Sequence, residues 1–125
     1  MRKISKDAAE ALMAYKKFKR GNTKVVLDAA KPSAAYLYLH GNMIACHEAD
    51  GTLKITDGGY ATVTTKDRLN ALPHVSIYQR KFVWYLNEEK WDGDWDIVYN
   101  PDPNGLQWGR KRIPSSDDSI EEVTE

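Results

Sequence analysis

Two stretches of the chain, Tyr36–Ala45 and Phe82–Trp91, are written as β-hairpins. In the first, Tyr36–Leu39 and Met43–His47 flank His40-Gly41-Asn42, where glycine and asparagine tolerate the positive φ of a tight turn. Successive strand side chains point to opposite faces, so each hairpin can offer one face to a core and the other to solvent or a partner. This pattern commits the middle of the chain to an antiparallel sheet.

The remaining elements fit around that sheet. Residues 6–20 are expected to form an amphipathic helix, because Ala8, Ala11, Leu12, Tyr15 and Phe18 make one apolar stripe at helical spacing. Ser5 is its expected N-cap and Ile4 the residue that staples onto Ala9, with Asp7 near the positive helix end. Lys16, Lys17, Lys19 and Arg20 fill the last turn, and Gly21 is the expected stop. Lys24–Leu27, the first hairpin, Thr52–Thr56 and Tyr60–Val63 read as short strands of a meander. Thr64-Thr65-Lys66-Asp67 signals a brief helix, capped by Thr64 and ended by Pro73. Val75–Tyr78 and Phe82–Leu86 are expected to pair across Gln79-Arg80-Lys81, and Trp95–Tyr99 closes the sheet.

The expected fold is therefore α+β. An N-terminal amphipathic helix packs on a mainly antiparallel sheet of about six short strands, with one short helix inserted near 65–72. Residues 1–99 are expected to form a single domain and 100–125 an irregular acidic C-terminal tail. The expected core holds Leu12, Tyr15, Phe18, Val26, Leu37, Leu39 and Ile44 from the first half. Leu53, Ile55, Leu69, Leu72, Ile77 and Trp84 complete it.

A chain of 125 residues can bury one modest core. Eighteen basic residues balance eighteen acidic ones, but not evenly along the chain. Arg2, Lys3, Lys6, Lys16, Lys17, Lys19, Arg20 and Lys24 face only Asp7 and Glu10 at the start. Asp117, Asp118, Glu121, Glu122 and Glu125 crowd the end without a base. Such asymmetry points to polyanion contact or to a regulatory tail. Cys46 is the single cysteine, which excludes an internal disulfide and fits a reducing compartment. No apolar run approaches the roughly 20 residues of a bilayer span. The basic start runs into charge-interrupted sequence, unlike a signal peptide. The cytoplasm is the expected location.

No catalytic or metal constellation is legible. Asp92-Gly93-Asp94-Trp95-Asp96 is dense in carboxylates, yet counting from Asp92 a calcium loop would need glycine and an acid where Ile97 and Pro103 stand. His40, His47, His74 and Cys46 show no zinc spacing, and Cys46 and His47 are strand neighbours on opposite faces. Cys46 has no evident base or oxyanion donor and reads as a small core residue. Phosphate-binding glycine loops, nucleophile elbows and two-histidine zinc helices are missing. The chain is expected to be no enzyme and to hold no cofactor or metal.

Aromatics carry the functional expectation. Trp84, Tyr85, Trp91, Trp95, Tyr99 and Trp108 lie close together in sequence, near Arg80, Lys81 and Lys90. In the leading reading the exposed subset of Tyr36, Tyr38, Tyr85, Trp91, Trp95 and Trp108 supplies anchors for a partner protein. The alternative is single-stranded nucleic acid, held by Lys16, Lys17, Lys19, Arg20, Arg80, Lys81, Arg110, Lys111 and Arg112 beside a stacking row, with the acidic tail as competitor. The zero net charge ranks this second.

Residues 36–93 also resemble a family of short proteins carried by tailed bacteriophages and prophages. The matching segments are Leu37-Tyr38-Leu39-His40-Gly41-Asn42-Met43-Ile44-Ala45, then Ile55-Thr56 with Gly59-Tyr60 and Thr62. Thr64-Thr65-Lys66-Asp67-Arg68-Leu69-Asn70 and Trp84-Tyr85-Leu86-Asn87 with Trp91-Asp92-Gly93 complete them. The resemblance implies a phage-type accessory protein of the host cytoplasm, whose partner would be a host or phage protein, and supplies no site residues.

Overall fold

The computed structural model describes residues 2–28 and 34–101. It is an α+β fold with two helices and two antiparallel sheets. Helix α1 (Lys3–Met13) is followed by strands β1 (Phe18–Arg20), β2 (Thr23–Leu27), β3 (Ala35–Leu39), β4 (Asn42–His47) and β5 (Leu53–Ile55). Helix α2 (Val63–Asn70) then leads to β6 (Ile77–Arg80), β7 (Val83–Leu86), β8 (Glu89–Lys90) and β9 (Asp96–Tyr99). The main sheet runs β1-β2-β3-β4-β5-β9, and β6-β7-β8 form a separate small sheet. The main sheet is thus a simple meander whose last strand returns after the α2 and small-sheet insertion.

The first helix is shorter than its periodicity suggests. It ends at Met13 in a Schellman arrangement, with Lys16 N–H donating to the Ala11 carbonyl at 2.8 Å and Tyr15 N–H to Leu12 at 3.2 Å. Tyr15 takes the left-handed position at φ 57, the place expected for Gly21. The cause lies across the fold. The Tyr15 hydroxyl donates to the Glu48 carbonyl at 2.7 Å, and its ring stacks on buried His47 at 4.4 Å. That turn delivers Phe18–Arg20 to the sheet as β1, and Gly21 (φ 56) sits in the β1–β2 turn. Ser5 lies inside α1, fully buried, and Arg2 is the residue at the N-cap position. The buried stripe of α1 is Ser5, Ala8, Ala9 and Leu12, laid on the sheet's inner face.

Most of the expected core is buried: Leu12, Leu37, Leu39, Ile44, Leu53, Ile55, Leu69, Leu72 and Ile77. Tyr15, Phe18 and Trp84 pack against it half-buried. Val26 faces outward and Val25 takes its place, since β2 buries Thr23 and Val25 and exposes Lys24 and Val26. In the β3–β4 pair the register steps from Leu37–Ala45 to Tyr38–Met43, which leaves Ile44 as a bulge. Both Ile44 and Ala45 thereby enter the core. Tyr60–Val63 forms no strand; Val63 begins α2, and Thr62 rather than Thr64 caps it, accepting from Thr65 N–H at 3.1 Å. The tail beyond residue 101 lies outside the described residues.

Candidate functional site

The small sheet is fixed firmly at its base. Asn70, the last residue of α2, donates from its amide to the Ile77 carbonyl at 3.0 Å and accepts from Ile77 N–H at 2.7 Å. Asn87 links Ser76 and His74 in the same way, at 2.8 to 2.9 Å. On its inner face Ile77 and Leu86 are buried, and Trp84 stacks on buried Trp91 with ring centres 6.2 Å apart. The Trp91 indole N–H donates to the Asp94 carbonyl at 2.9 Å. Beyond it, the Gly93 carbonyl accepts from Asp57 N–H and the Thr56 hydroxyl, both at 2.8 Å. These bonds join the small sheet to the end of β5.

Its other end stands in solvent. Gln79, Arg80, Lys81, Phe82 and Val83 are all exposed, and Phe82 is 93% accessible. Arg80 pairs with Val83, so Lys81 and Phe82 are the two turn residues, at φ 51 and 67. The turn thus differs from the expected Gln79-Arg80-Lys81, which places Phe82 in the strand. On the outer face Tyr78 and Tyr85 stack at 5.3 Å, and the Arg80 guanidinium lies 6.0 Å from the Tyr85 ring.

Of the residues singled out from sequence, Arg80, Lys81 and Tyr85 converge here. Tyr36 and Tyr38 lie elsewhere, half-buried on the outer face of the main sheet. The Tyr36 hydroxyl donates to Asp28 at 2.9 Å, and the Lys24 ammonium lies 5.5 Å from the Tyr38 ring. Trp91 is only 4% exposed and Trp95 half-buried, so Trp91 is core rather than an anchor. Lys16, Lys17 and Lys19 are exposed at the edge of the main sheet, while Arg20 pairs with Asp7 at 2.8 Å and lies over Phe18. Trp108, Arg110, Lys111 and Arg112 fall outside the described residues. Phe82 and Tyr78 were missed from sequence; a strand register of Arg80 against Val83 would have put an aromatic at the turn.

Cys46 and Tyr36 are both held in their protonated forms. Burial pushes the Cys46 thiol up to about 11, and Tyr36 is pushed up to about 12, first by its bond to Asp28 and then by burial. Among the described residues no group of three or more metal-ligating side chains gathers, and no helix is long and apolar enough to cross a membrane.

A family model described as Kyanoviridae Gp96 protein matches residues 1–104. The chain belongs to this family of phage proteins. The Gp96 match takes in both helices and both sheets, the solvent-facing hairpin included. No curated protein and no solved structure matches the chain.

Proposed function

We propose that this Gp96-family protein is a non-enzymatic accessory protein that works in the host cytoplasm by docking on a partner protein, with Phe82 as its anchor. One observation carries the reading. Among the described residues four two-residue turns join strands: Gly21-Asn22, His40-Gly41, Lys81-Phe82 and Asn87-Glu88. Only Lys81-Phe82 uses neither glycine nor asparagine, although both its residues have positive φ. A left-handed non-glycine residue costs about 1–2 kcal/mol, and a phenylalanine left in water forgoes about 1.5–3 kcal/mol of burial. With its ring 93% accessible, Phe82 contributes almost no burial to the free protein. A partner that buries the ring recovers the second term, which corresponds to about ten- to hundred-fold in affinity. Arg80 and Lys81 beside the ring fit an apolar pocket rimmed by carboxylates.

The nucleic-acid reading is less well supported. Its cations lie on two separate sheets, Lys16, Lys17 and Lys19 at β1 and Arg80 and Lys81 at the β6–β7 turn. Tyr78 and Tyr85 stack on one another instead of presenting open faces in a row. The test is capture from host lysate with the wild type and with Phe82→Ser, in parallel with titration of a single-stranded oligonucleotide. A protein retained by the wild type and lost with Phe82→Ser supports the proposal. Low-salt oligonucleotide binding that ignores Phe82→Ser and weakens steeply with salt overturns it.

A further inference from the structure

A cleft of about 400 Å³ opens between the β3–β4 turn, the loop after β5 and the start of α2. We infer that it binds a neutral, hydroxyl-rich sugar ring. Its floor is apolar, formed by Leu39 and Ile44, both nearly inaccessible to water. Above the floor stand a carboxylate (Asp57), a carboxamide (Asn42), a hydroxyl (Thr64) and an exposed phenol ring (Tyr60). A ligand-sized cleft with an apolar floor and a few convergent polar groups is the usual form of a small-molecule site.

The state of those groups selects the ligand. Thr62 and Thr65 are occupied with capping, since their hydroxyls lie 2.9 Å apart and Thr65 donates on to the Tyr60 carbonyl at 2.9 Å. The Thr64 and Tyr60 hydroxyls make no hydrogen bond among the described residues, so each can still donate and accept. One Asp57 oxygen accepts from Gly59 N–H at 2.7 Å and the other packs against Gly93, which together steady the carboxylate. No lysine or arginine is among the residues lining the cleft; Asp57 is its one carboxylate, and His40, which also lines it, has its Nε2 3.3 Å from the Asn22 amide nitrogen. Asp57 would repel an anion, and Asp57 with His40 makes too small a ligand set for a metal ion. A sugar offers what remains: C–H faces for Leu39 and the Tyr60 ring, and hydroxyls that donate to Asp57 and exchange bonds with Asn42 and Thr64.

The sugar could be free or part of a nucleoside, and the experiment separates the two. The full isotopically labelled chain is titrated with D-glucose, with adenosine and with inorganic phosphate while backbone amide shifts are followed. Glucose or adenosine should shift the amides of Asn42 and of 57–65 with a Kd of about 1–10 mM. Tyr60→Ala and Thr64→Val should each weaken that binding at least about fivefold while leaving amides elsewhere in place. Response to adenosine alone assigns the nucleoside form. The inference is overturned if neither sugar moves these amides, if phosphate alone does, or if both variants bind as the wild type.

Discussion

The Arg68 guanidinium donates from Nε to the Thr23 hydroxyl at 2.8 Å, across 45 residues of sequence. The bond ties α2 to β2 in the interior, where Arg68 is 2% exposed and Thr23 inaccessible. Nη1 donates to the Ser5 hydroxyl at 2.9 Å, the Ser5 hydroxyl donates in turn to the Asp67 carboxylate, and Nη2 donates to the Asn22 side-chain oxygen at 3.3 Å. One cation thus pins both helices to the sheet.

Removing it should be costly. Arg68→Met leaves the Thr23 and Ser5 oxygens buried without their donor, and stability should fall by about 2–4 kcal/mol. Arg68→Lys should recover less than half of this, because one ammonium cannot span the three positions of the guanidinium fork. Urea unfolding monitored by tryptophan fluorescence gives both values.

The hairpin turn should behave in the opposite way. Replacing Lys81-Phe82 by Asn-Gly supplies the residues that a doubly left-handed turn favours. The variant should be about 1–2 kcal/mol more stable than the wild type and should lose partner binding. Thermal unfolding beside the capture assay measures the two effects on the same samples.

At Gly93, with φ 89, a Cβ would run into the Asp57 carboxylate. Gly93→Ala should destabilise the protein by about 1–3 kcal/mol and loosen the joint between the sheets. Amide exchange should then quicken at Asp57 and Trp91, whose N–H groups donate to Gly93 and Trp84.

Alkali should destabilise the fold. Cys46 and Tyr36 hold their protons more tightly when folded, up to about 11 and about 12, than their ordinary values of 9.0 and 10.0. The unfolded chain therefore ionises first, so their stabilising effect is complete below about pH 9 and is lost as pH rises through the folded values. The urea midpoint should drop between pH 8 and pH 11, and the double variant Cys46→Ala, Tyr36→Phe should flatten that drop.

The hairpins were legible because alternation and turn chemistry are local. The β3–β4 hairpin and its His40-Gly41 turn stand close to where the residues put them. The end of α1 was not legible, because the helical spacing of Tyr15 and Phe18 imitates a stripe that the Tyr15 bonds to His47 and Glu48 interrupt. Ser5 looked like a cap for a similar reason; its partners Asp67 and Arg68 are some sixty residues away. Within the candidate site, Arg80, Lys81 and Tyr85 could be found from their types. Phe82 could not, since only the strand register distinguishes a core phenylalanine from one at the tip of a turn.

The most direct test places a photo-crosslinking benzophenone side chain at position 82 and, as control, at exposed Tyr99, in host lysate. Tyr99 is 39% accessible and lies on β9, away from the turn. A discrete crosslinked protein from position 82 that does not form from position 99 is the predicted result. Crosslinks of the same pattern from both positions, or crosslinks from position 82 to nucleic acid alone, would contradict a protein-docking hairpin.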